Sequence, residues 1–167
     1  AQNNDAANHN TAVGFTAAEA TTTGQHNTAA GSNSLNANTT GDNNTALGSG
    51  ALTANTTANS NVAIGVDALN DNTTGTLNVA VGTYALDTNT TAQRNTAIGY
   101  AAMDANTEGE YNTAVGANAL DANTTANNNV AIGYNSLTTN STGSSNTAVG
   151  VEALKDNSTG TNNVAVG

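Results

Sequence analysis

The residues best suited to chemistry are three aspartates at equal spacing. Asp87, Asp104 and Asp121 stand 17 residues apart. Carboxylates at a fixed interval can hold a hard cation, and Ca²⁺ takes oxygen ligands of this kind. If the interval is one turn of a stacked structure, neighbours lie about 4.8 Å apart and repel by roughly 0.9 kcal/mol even in water. A bound Ca²⁺ would relieve that repulsion. The plainer alternative is a solvated, screened acidic stripe. The glycine-rich, Asp-bearing nonapeptide of calcium-binding β-rolls is absent.

Other reactive residues are sparse. There is no cysteine, hence no thiolate metal site and no disulfide framework. His9 and His26 lie in no metal-spaced cluster and read as exposed side chains. Serine and threonine are plentiful, but no Ser-His-Asp set has a distinctive context. No catalytic residue and no organic cofactor is assigned, and an enzyme is not expected. Phe15, Tyr100 and Tyr134 each follow a repeated glycine and could be adhesive or interface aromatics, or ordinary surface rings. Asn38-Thr39-Thr40 and its copies match the glycosylation sequon. Paired threonines also raise ice binding, but they sit in an expected turn, and the strand column mixes Thr with Val.

What positions these residues is a repeat. Gly14, Gly31, Gly48, Gly65, Gly82, Gly99, Gly116, Gly133, Gly150 and Gly167 keep the 17-residue interval without a slip. A fixed short period over a whole chain signals a repeat architecture. The expected organisation is a single repeat domain over 1–167: a shortened first turn, 1–14, and nine 17-residue repeats, 15–167. One turn reads Ala117 to Gly133, ANALDANTTANNNVAIG. Asn129 and Ala131 belong to columns filled by Asn and Ala in all ten copies. Alternate positions point to one face of a strand, so Asn, Ala and Gly share a small-residue face. Thr/Val and Val/Ile/Leu, as in Val130 and Ile132, form the other. A second apolar spot, Leu35, Leu52, Leu69, Leu86, Met103, Leu120, Leu137 and Leu154, follows four residues after each Gly. Asn-Thr-Thr-Gly/Ala then reads as a turn.

Two short strands and two turns per repeat are expected. The fold is all-β: a parallel β-solenoid (β-roll) of about ten turns, 17 residues each. Its core is expected to be Val/Ile/Leu facing the Leu ladder, with stacked Asn and Thr adding hydrogen bonds. The Ala–Gly face should be a close-packing face. The Gly closing each phrase should need positive φ; the Gly/Ala ending the polar turn should not.

Composition narrows the partners. Net charge is −10, with only Lys155 and Arg94 as strong cations, which disfavours nucleic acid and anionic lipid. No apolar run approaches the roughly 18 residues that would span a membrane. Freedom from cysteine and a polar Asn/Thr surface suit an extracellular or cell-surface location.

The tandem phrase resembles the head repeats of YadA-like trimeric autotransporter adhesins, whose motif runs Asn-Ser-Val-Ala-Ile-Gly. Asn61-Val62-Ala63-Ile64-Gly65 and Asn129-Val130-Ala131-Ile132-Gly133 carry the likeness. It also resembles bacterial and phage tail-fibre-like repeats, where Asn-Thr-Ala-Ile-Gly-Tyr precedes Ala-Leu and Asn-Thr-Thr-Gly; compare Asn95 to Tyr100. The resemblance implies a left-handed parallel β-roll, usually trimeric, serving as a stalk, adhesin or fibre on a cell surface or virion. The expected partner is the chain itself, as a trimer or as a head-to-tail filament in which Gly167 hands over to Ala1. A receptor or glycan ligand is the alternative.

Overall fold

The computed structural model describes residues 9–167. It contains ten three-residue strands: β1 (Thr11–Val13), β2 (Thr28–Ala30), β3 (Thr45–Leu47), β4 (Val62–Ile64), β5 (Val79–Val81), β6 (Thr96–Ile98), β7 (Thr113–Val115), β8 (Val130–Ile132), β9 (Thr147–Val149) and β10 (Val164–Val166). All lie in one parallel sheet, ordered β1 to β10. Each residue pairs with the one 17 places on: Ala63 with Ala80, Leu47 with Ile64, Ile64 with Val81. The chain is therefore a β-solenoid of about nine turns, as the glycine register predicts. The shortened first turn falls largely on residues 1–8, outside the described residues.

Two expectations are corrected. The first is the second strand: each turn has one strand, not two. The Leu segment is a succession of tight turns, because the residues two and four places after each Gly are left-handed. Leu69 has φ 52° and Asp67 the same. Ala51 N–H donates to Gly48 C=O at 3.4 Å across a four-residue turn whose third residue, Gly50, has φ 73°. That is the position a type II turn requires to be left-handed. Rung-to-rung bonding persists there regardless: Leu69 N–H donates to Ala85 C=O at 3.0 Å.

The second correction concerns the core. Strand residues Ala46, Ala63, Ala80, Ala97, Ala114, Ala131 and Ala148 are fully buried, opposite the buried Leu ladder. The flanking Val, Ile, Leu and Thr of the strands point outward instead. One turn of 17 residues encloses a narrow interior. Leu from one wall fills it, leaving room on the other for methyl groups and amides only. The small-residue face is thus the close-packing face, inside the roll.

The remaining interior is polar and satisfied largely in ladders, with Asn123 Oδ1 and Asn129 Nδ2 the ladder atoms left without a partner among the described residues. Asn61 Oδ1 accepts from Asn78 N–H (2.9 Å), and Asn61 Nδ2 donates to Gly75 C=O (2.8 Å). A second column passes amides directly: Asn89 Nδ2 donates to Asn72 Oδ1 (2.8 Å), and Asn123 Nδ2 to Asn106 Oδ1 (2.7 Å). Buried amides left without partners would cost more than such bonds contribute, which is why Asn fills the columns, with Thr21 the one departure among the described residues.

Candidate functional site

Among the described residues the interior is filled by Leu, Ala and amide ladders, so the search for a site turns to the surface. The outward strand face is a uniform feature that runs through all ten strands. Its first column runs Thr45, Val62, Val79, Thr96, Thr113, Val130 and Thr147; its second runs Leu47, Ile64, Val81, Ile98, Val115, Ile132 and Val149. Neither column holds a charge in any of the ten strands, in a chain of net charge −10. Ile64, Ile98 and Ile132 remain 38–40% exposed. Leu77 and Tyr111 extend the apolar area on one flank, and Val66, Tyr100 and Tyr134 follow the strands on the other. Arg94, beside it, is engaged with Tyr111: Nη1 donates to the phenol oxygen at 2.7 Å, and the guanidinium lies 5.3 Å from the ring centre. Tyr84 and Tyr100 meet edge to face at 6.0 Å.

Asp87, Asp104 and Asp121 do fall on successive rungs of one column. Burial, then Asp104, Asp71 and Asp67, push the Asp87 carboxyl up to about 6. Burial raises the Asp104 carboxyl, and burial followed by Asp104 raises that of Asp121. Among the described residues, no group of three or more His, Asp or Glu side chains is arranged to hold a metal ion. The carboxylates run along the rod rather than around a point.

His9 and His26 are exposed, as expected, but they also stack on adjacent rungs, 4.8 Å apart with ring planes 3° from parallel. Their 17-residue separation was the signal for this. The sequon asparagines Asn38, Asn55, Asn72 and Asn89 are fully buried in the amide ladder, so a glycan on Nδ2 is incompatible with the fold. The first threonine of each pair is likewise occupied: Thr56 Oγ1 donates to Thr73 C=O at 3.2 Å. Its hydroxyl proton is therefore committed to the next rung, while the second threonine of each pair is exposed. The uncharged outward face is the feature that assigning Val and Ile to the core concealed.

No known family, curated protein or solved structure matches the chain.

Proposed function

We propose that the chain is a structural rod module of an extracellular fibre, adhesin or appendage, and that copies pack side by side through the outward face of the sheet. The observation that carries this reading is the uncharged Val/Ile/Thr face running the length of the sheet. Ten rungs at about 4.8 Å and strands about 10 Å long give a face of roughly 450–500 Å² per copy. A pair would bury about 900–1,000 Å², near the lower bound for a specific interface, and the flanking Leu77, Tyr100, Tyr111 and Tyr134 add to it. The face mixes Val and Ile with Thr, and an area of this size is within the range of monomer patches that are often functional. With a net charge of −10, copies approach most easily where neither presents a charge.

The absence of cysteine supplies the test. Ile98 lies in β6, near the middle of the rod, so a Cys there meets its counterpart whether rods run parallel or antiparallel. Under mild oxidation Ile98→Cys is expected to form disulfide-linked pairs much faster than Thr74→Cys, whose side chain is exposed on another face. Equal rates at the two positions would contradict side-by-side packing.

A receptor- or glycan-binding module is the second reading, favoured by the exposed rings of Tyr84, Tyr100 and Tyr134. Saturable retention on immobilised glycans, lost in Tyr100→Ala, would support it over the rod reading.

A further inference from the structure

The acidic column has a feature that a solvated stripe would not show. Asp104, the middle member, has Oδ1 buried with no hydrogen-bond partner. The charged groups around it are carboxylates: Asp87 and Asp121 on the adjacent rungs, with Asp71 and Asp67 also acting on Asp87. No cation compensates them. Lys155 stands two rungs beyond Asp121 in the same column, and its ammonium is held 2.9 Å from Glu152. Arg94 is bound to Tyr111 on a different face. A buried acceptor without a donor, flanked by carboxylates one rung away, is satisfied most directly by a proton on one of those neighbours.

We propose that Asp87, Asp104 and Asp121 form a proton-sharing column that tightens the middle of the rod in mild acid. A proton taken from solvent by a neighbouring carboxylate turns that group into an O–H donor to Asp104 Oδ1. One repulsive contact becomes a hydrogen bond, and one negative charge is removed. The sign follows from linkage. Asp87 holds its proton up to about pH 6 in the folded rod, whereas its model value is 3.8. Between those values the folded chain binds more protons than the unfolded one, so stability rises as pH falls and is lost as pH rises through about 6. Burial is the larger cause of that shift, and repulsion from the neighbouring carboxylates adds to it.

Melting in EDTA between pH 7.5 and 4.5 tests the proposal, with Asp104→Asn against Glu108→Gln as an exposed-acid control. The parent and Glu108→Gln are expected to melt progressively higher as pH falls. Asp104→Asn should melt higher than the parent at pH 7.5 and show a smaller pH dependence, the part that burial imposes on Asp87 and Asp121 remaining. Carboxyl ¹³C NMR supplies the site-resolved readout. Asp87 should titrate near 6 in the parent and lower in Asp104→Asn, while staying above the ordinary range because burial remains. An Asp87 midpoint near 4 in the parent would overturn the proposal. So would an undiminished pH dependence in Asp104→Asn.

Discussion

Leucine in a left-handed conformation is the least expected residue-scale feature. Leu35, Leu52, Leu69, Leu86, Leu120, Leu137 and Leu154 all have φ between 51° and 56°. The αL conformation costs an L-residue about 1–2 kcal/mol. Burying a leucine completely contributes about 1.5–3 kcal/mol, so burial outweighs the strain. The same trade fails where the side chain is exposed. Leu77 has φ 62° with its side chain half in solvent. Leu77→Asn, which tolerates αL, is therefore expected to raise stability by about 0.5–1 kcal/mol in chemical denaturation. Gly99 is the opposite case. Its φ is 139°, and a Cβ there would collide with the carbonyl of Gly116 on the next rung. Gly99→Ala is expected to cost about 3 kcal/mol or more, combining backbone strain with a collision that only rung displacement relieves. If Gly99→Ala unfolds at the parent's midpoint, the one-rung stacking of that column is wrong.

At the scale of the turn, stability rests on columns that tolerate neither growth nor loss of a partner. Ala97 is fully buried opposite the leucine ladder, and Ala97→Leu is expected to cost about 1–3 kcal/mol by overpacking. Asn78→Ala would orphan the buried Asn95 N–H and leave the Ala92 carbonyl with the Asn89 amide alone, and is expected to cost about 1–3 kcal/mol. A thermal melt of either variant matching the parent would contradict the amide-filled interior. These columns were largely legible in the sequence, because Asn and Ala recur at Asn78 and Ala80 without exception and one turn spans one glycine interval. The positive φ of Gly99 was legible for the same reason. The left-handed turn at Leu69 was not, since leucine carries no local preference for αL and only burial imposes it. The outward direction of Ile98 was hidden too. Hydrophobicity placed it in the core, whereas the width of a 17-residue coil admits one large side chain per rung, and Leu86 and its equivalents take that place. The acidic column was visible as spacing, but the orphaned oxygen of Asp104 depends on side-chain burial that spacing does not carry.

At the scale of the whole molecule, these choices produce a rod whose interior is held largely by amide ladders and which carries one long uncharged face. The face is an ordered array of Val, Ile and Thr at the strand spacing, exposed along a molecule otherwise covered by amides, hydroxyls and carboxylates. Side-by-side association accounts for that face. The central claim is tested most directly by sedimentation equilibrium of the parent against the triple variant Ile64→Lys, Ile98→Lys, Ile132→Lys. All three side chains point out of the sheet, so lysines can reach water without entering the core. The parent is expected to sediment as a multiple of the 16.4 kDa chain, and the folded triple variant as one copy. A parent that remains a single 16.4 kDa species at high concentration, indistinguishable from the lysine variant, would contradict the account.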